Sequence, residues 1–252
     1  MPDRRQNRGA HPKDAACFAT AQVPVLRRAC DELSWLLSRG YSDVASLKLV
    51  GDRHKLRLRQ RKALQRCAVA EEKRVARRAR EVAPAAIAGR RVLIDGYNVL
   101  LTVEAALAGA VVLRGRDDNL RDLAAMSSHY RRVRQTRPAI DRIGRWLARW
   151  RPEETIWFLD RPISNSGRLA GWLAEAAAAH AWPWRVRLVP NPDPILIAAA
   201  GEPAGDVVAT ADGGILDHGP PWLALARHVV EASVPDAWVV DLSAGGAGRS
   251  EA

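Results

Sequence analysis

After residue 89 the chain alternates between short runs rich in β-branched and aromatic residues and longer stretches with helical spacing, and few folds accept that pattern. The runs are RVLID (91–95), TIWFLD (155–160), WRVRLV (184–189), DVVAT (206–210) and AWVVD (237–241). The helical stretches are NLRDLAAMSSHYRRV, AIDRIGRWLARW, SGRLAGWLAEAAAAH, PILIAAAG and PWLALARHVVEA. A helix between two strands carries the chain back to the starting edge, so the strands run parallel and helices cover the sheet on both faces. Residues 90–245 are therefore expected to form an α/β domain around a parallel sheet, with a flexible tail over 246–252.

Four of the five runs deliver an aspartate to one rim of such a sheet. RVLID ends on Asp95 and TIWFLD on Asp160, while WRVRLV leads through PNPDP to Asp193 and DVVAT leads through AD to Asp212. Open α/β sheets bind ligands at the carboxyl ends of their strands. Each aspartate alone has an ordinary role open to it: Asp193 and Asp212 as helix N-caps, Asp160 as the start of a turn before Pro162. As a set they are costly, because two like charges about 4 Å apart repel by roughly 4 kcal/mol at an effective dielectric of 20. Shared protons or a hard cation would offset the repulsion, and carboxylates around an open octahedral position suit Mg2+ or Mn2+. The matching chemistry is in-line attack of water on a phosphodiester, with one or two metals. Competing chemistries lack their residues: there is no His/Cys ligand cluster, no Ser-His-Asp set and no Walker loop. GAVVLRG lacks the glycine spacing of a dinucleotide fold. A haloacid-dehalogenase-type phosphatase needs a second aspartate two residues after the first, where DGYN has Tyr97.

The first third of the chain reads differently. Residues 1–90 carry 21 Lys+Arg against 9 Asp+Glu, and the remainder carries 18 against 19. A cationic third suggests a polyanion partner, most often nucleic acid, although arginine on solvated helix faces produces the same count. Residues 1–22 read as a basic disordered tail and 23–83 as a basic helical domain. In it VPVLRRACDELSWLLSRG stops at Gly40, a short helix runs from a Ser42 cap to Gly51, and HKLRLRQRKALQRCA and EEKRVARRAREVA follow. Such a bundle suits a helix-turn-helix or general RNA binding through Arg57, Arg59, Arg61, Arg66, Arg74, Arg77 and Arg78, or else packing and oligomerisation. PAAIAG (84–89) reads as a linker. No run is long and apolar enough for a membrane span, the basic start has no apolar signal core, and Cys17, Cys30 and Cys67 show no paired spacing. A reduced cytoplasm is the expected location.

VLIDGYNVL resembles the first-strand signature of PIN-like nucleases, in particular the branch with Asp-Gly-Tyr-Asn after the strand. NPDPILIAAAG is similar to that superfamily's acidic helix start and VVATADGGILD to its Thr-x-Asp segment, in the same order over roughly 90–245. The whole chain resembles a prokaryotic group that pairs a helical domain of unknown function, number 434, with a PIN-like domain; GYSDVASLKLVGDRHKLRLRQRKAL and LDRPISNSGRL fit it. The resemblance implies metal-dependent ribonuclease activity, with Asp95, Asp193 and Asp212 as metal-binding acids and Asp160 as the second-strand acid. It implies that Asn98 orients Asp95 or a water, and that Thr210 hydrogen-bonds a ligand or an acid. Asp118 and Asp122 are candidates for a further acid, or acids in a helix's first turn, and Asp217 reads as a surface or turn residue. Ser164, Asn165 and Ser166, ahead of Gly167, would lie at a helix N-terminus and could cradle a phosphate. The expected function is thus a Mg2+- or Mn2+-dependent nuclease, on RNA more than on DNA. The alternatives are a non-catalytic nucleic-acid-binding protein and a small-molecule phosphohydrolase.

Overall fold

The computed structural model describes residues 11–124, 133–199 and 205–243. Its centre is a five-stranded, all-parallel sheet of β1 (Arg91–Asp95), β4 (Glu154–Asp160), β5 (Trp184–Val189), β6 (Val207–Ala209) and β7 (Trp222–Leu223), in the order β5-β4-β1-β6-β7. β1 lies between β4 and β6 and reads as a continuous apolar run, as a strand buried on both faces must. β5 is an edge strand and alternates instead, with Arg185 and Arg187 turned outward. From β1 the chain builds outward to β4 and β5, then crosses back to place β6 on the other side of β1. The topological switch therefore falls between β1 and β6, where ligand crevices of such sheets open.

The two faces of the sheet are covered unequally. Val92, Ile94, Trp157 and Leu159 face the larger core with α6 (Gly96–Leu107), α7 (Thr136–Trp150), α8 (Ser166–His180) and α11 (Leu225–Ser233). Among the described residues, Leu93, Ile156, Phe158 and Val208 face the short helices α9 (Asp193–Ala198) and α10 (Gly213–Asp217), which contribute Leu196 and Ile215.

The helical region comprises α1 (Asp14–Cys17), α2 (Val23–Leu37), α3 (Asp43–Arg53), α4 (Leu58–Cys67) and α5 (Glu71–Arg80). Ser42 caps α3, accepting from Ala45 N at 3.3 Å, and Gly40 leaves α2 in a left-handed conformation. α3 continues past Gly51 to Arg53. This region does not close its core on itself. Leu26, Leu33, Leu64 and Cys67 share one apolar cluster with Val111, Leu113, Leu123, Val240 and Leu242. Those last residues belong to or flank a second sheet, ordered β3-β2-β8, of β2 (Val112–Arg114), β3 (Leu120–Asp122) and β8 (Val239–Asp241). The three cysteines are free and buried there. Burial pushes the Cys67 thiol up to about 12 and Cys30 well above its usual value, so both behave as small apolar groups, not as nucleophiles.

Several expected elements are placed differently. Leu120–Asp122, expected to open a helix, is a strand paired antiparallel to β2; residues 125–132 of that stretch lie outside the described residues. Val239–Asp241 pairs with β2, so AWVVD joins the small sheet and not the large one. The fifth strand of the large sheet is Trp222–Leu223, from the start of a stretch read as helical, and α11 begins only at Leu225. Residues 84–89, expected as a linker, contain a 3-10 turn at Pro84–Ile87 with Ile87 fully buried in the larger core. No helix among the described residues is long and apolar enough to cross a membrane.

Candidate active site

β1 passes into α6 with no intervening loop, so Asp95 is both the last strand residue and the residue before the helix. The turn is possible because residue 96 is glycine: a Cβ there would stand 2.5 Å from Leu159 Cδ2 and 2.7 Å from the Phe158 carbonyl oxygen on β4. Asp95 is only 9% exposed and does not cap α6. Its Oδ2 instead accepts a 2.8 Å hydrogen bond from Thr210 Oγ1 across the switch point. Thr210 Oγ1 also accepts from Asp212 N at 3.0 Å, so one hydroxyl joins the two strand ends. Asn98 Oδ1 accepts from Ala211 N at 2.8 Å. Its bond is thus to the chain between Thr210 and Asp212; a role in orienting Asp95 directly is not what its contacts serve.

Asp212 does cap α10, accepting from Gly214 N at 2.7 Å and Ile215 N at 3.3 Å. Asp193 is the first residue of α9, exposed, behind Pro192 as the cap residue. Asp160 ends β4, half-buried. All four aspartates, with Asn98, line one cleft of about 630 Å³. Burial pushes the Asp95 carboxyl up to about 7 against the Thr210 bond, and the charges of Asp212, Asp193 and Asp160 add to the rise. Burial likewise raises Asp160 and Asp193, with Asp193 acting on the first and Asp212 on the second. Among the described residues no three His, Cys, Asp or Glu side chains form a ready-made metal cage. What the cleft offers is carboxylate oxygen, a donor type that hard cations take together with waters.

The far wall of the cleft comes from the helical region, through Arg66, Lys73 and Arg77 among others. Most of the arginines expected to grip a polyanion are committed elsewhere. Arg59 pairs with Asp14, Arg61 with Asp52 at 2.7 Å, and Arg74 with Glu71 at 2.5 Å. Arg57 and Arg78 are exposed, but neither lines the cleft. Arg77 is buried against Asp117 and Asp217. Arg66 donates to Ala124 O at 3.0 Å and lies 3.9 Å from Asp122. Lys73, which sequence reading passed over, reaches Asp217 at 2.8 Å. Its only sequence signal was membership of a basic helix.

The remaining candidates divide. Asp122 lines the cleft but sits on β3, where its Oδ1 accepts from Ala124 N at 2.6 Å. Asp118 is in a left-handed turn and holds Arg114 and Arg227, away from the cleft lining. Asp217, read as a surface residue, lines the cleft. Ser164, Asn165 and Ser166 do not line it; Ser166 is buried and its hydroxyl donates to Arg161 O at 3.2 Å, which removes it from a phosphate cradle.

Two family profiles match the chain. Domain of unknown function (DUF5616) matches residues 84–228, and Protein of unknown function (DUF434) matches residues 25–80. The first match spans more than half of the chain, which therefore belongs to that family. Uncharacterized protein MJ0935 of Methanocaldococcus jannaschii is 26% identical over 193 residues, covering 76% of this chain and 88% of the relative. No solved structure matches.

Proposed function

We propose that this member of the DUF5616 family is a Mg2+- or Mn2+-dependent nuclease with a PIN-like catalytic domain, acting on RNA in preference to DNA. The observation that carries the reading is the gathering of Asp95, Asp160, Asp193 and Asp212 in one cleft at the switch point, where burial raises the Asp95 carboxyl to about 7 and the charges of the other three add to the rise. A divalent cation there would lower the pKa of an attacking water and stabilise charge on the phosphate oxygens. Asp95 and Asp212 are the residues to hold it, with Asp160 and Asp193 as the outer acids. Thr210 fixes the Asp95 carboxylate by its Oδ2 and ties it to the Asp212 backbone, so the two acids move as one unit. Arg66 and Lys73 bring positive charge to the cleft wall beside the buried Arg77 and Arg121, where a phosphate backbone needs it.

Purified protein with Mn2+ is expected to cleave single-stranded RNA, and Asp95→Asn or Asp212→Asn to reduce the rate at least a hundredfold. Variants that cut as fast as the parent would sink the reading. A second reading, a non-catalytic nucleic-acid-binding protein on a PIN-like scaffold, draws on the exposed Arg57 and Arg78 of the basic helical region. Metal-independent binding of RNA with no cleavage of RNA or DNA selects that one. Turnover of a phosphate ester without affinity for polymer selects a small-molecule phosphohydrolase.

A further inference from the structure

The wall of the acid cleft contains a buried ionic cluster that the cleavage reading does not use. Arg77 on α5 is 6% exposed and reaches out of the helical region. Its Nη1 donates to Asp117 Oδ2 at 2.7 Å, its Nε and Nη2 donate to Asp217 Oδ1 at 2.7 and 2.6 Å, and Nη2 also donates to Gly213 O at 3.2 Å. Arg121 on β3 clasps the same Asp117 at 2.7 and 2.6 Å and donates Nε to Ala211 O at 2.8 Å. Asn119 Nδ2 donates to Thr210 O at 3.1 Å. Three carbonyls around Asp212, those of residues 210, 211 and 213, are each held by a side chain from outside the parallel sheet.

Placing so many charges out of water is expensive, and an apolar contact would pack α5 as well. A planar guanidinium offers something an apolar group or a lysine does not, a fork that satisfies several acceptors in fixed directions. The approach is close: a Cβ on Gly213 would stand 2.9 Å from Arg77 Nη2.

We infer that Arg77 is a positioning residue: together with Asp117 and Arg121 it clamps the backbone on both sides of Asp212, so the helical region builds the acid site and does not merely adjoin it. The consequence for cleavage rests on the function proposed above; the clamp itself does not. It also explains in physical terms why the two matched segments form one unit, since α5 completes what the 84–228 segment leaves open.

Arg77→Lys keeps a charge for Asp117 but cannot span Asp217 and Gly213 O as well. In the folded variant, amide exchange over residues 211–217 should accelerate at least tenfold, while β4 (154–160) exchanges as in the parent. Mn2+ affinity by calorimetry should fall several-fold, and kcat should drop about tenfold with KM within twofold. A folded Arg77→Lys protein whose 211–217 segment exchanges as slowly as the parent overturns the inference. So does a loosened segment with parental Mn2+ affinity. Should Arg77→Lys fail to fold, Asp217→Asn, which leaves both arginines on Asp117, must show the same loosening and weakened Mn2+ uptake or the inference falls. A parent that takes up no Mn2+ and cuts nothing removes the nuclease reading; a tenfold faster 211–217 segment in Arg77→Lys then still upholds the clamp.

Discussion

Asp95 and Asp117 are the same residue type, both buried, and they sit at opposite ends of the carboxylate range. Burial pushes both upward. Asp95 has a threonine hydroxyl for support and three other aspartates nearby, and it stands at about 7. Asp117 has Arg121 and Arg77 on its two oxygens, which overcome the burial and hold it at about 2. Desolvation therefore acts on both: it carries Asp95 upward, where only a hydroxyl opposes it, while at Asp117 the two guanidinium groups outweigh it. The difference separates a carboxylate held for structure from one held under tension, and groups held under tension gather at functional sites.

The sharpest test removes both charges in parallel. Asp117→Asn leaves two buried guanidinium groups short of their acceptor and should cost about 3–5 kcal/mol in urea unfolding at pH 7. Asp95→Asn removes a charge that folding penalises and should stabilise the metal-free protein at pH 8 by about 2–4 kcal/mol, at a rough 1.4 kcal/mol per unit of pKa change. If both variants shift stability in the same direction, the contrast is wrong.

The pH dependence should divide the two in the same way. The native state keeps a proton on Asp95 that the unfolded chain has lost above its ordinary value of 3.8, so metal-free stability should fall as pH rises from about 4 to 7 and level off beyond. Asp117 stabilises fully above 3.8, and that contribution is lost as pH falls through about 2. Urea midpoints measured from pH 4 to 8 should flatten in Asp95→Asn and keep their slope in Arg74→Ala.

Smaller effects probe the surroundings. Gly96→Ala drives a methyl into Leu159 and the Phe158 carbonyl and should cost about 1–3 kcal/mol while displacing Asp95. Arg74→Ala breaks an exposed pair with Glu71 and should change stability by less than about 1 kcal/mol in a thermal melt. An Arg74 effect as large as that of Asp117 would show that surface and buried pairs are equivalent here, against the whole comparison.

Much of the site was legible in the order of residues. An apolar run ending on an acid, with Gly96 next, allows a strand, an abrupt turn and a carboxylate at the sheet rim, and Asp95, Asp160, Asp193 and Asp212 do line one cleft. The hairpin around Asp117 was not legible. RDDNLRDL has acids and arginines at helical spacing, and only pairing with Val112–Arg114 turns Leu120–Asp122 into a strand. The seven arginines singled out in the helical region looked alike in sequence, yet their partners differ: Arg74 meets a neighbour three residues away, whereas Arg77 meets Asp217, 140 residues along the chain.

By itself the sequence determined the strands that end on Asp95 and Asp160 and the chemistry that stands at the strand ends, because periodicity and residue type act over a few residues. Only the tertiary structure decided which acids gather in one cleft and which one is gripped by arginines. The charge state of a buried group depends on what distant parts of the chain bring within about 3 Å of it, and no local pattern carries that information.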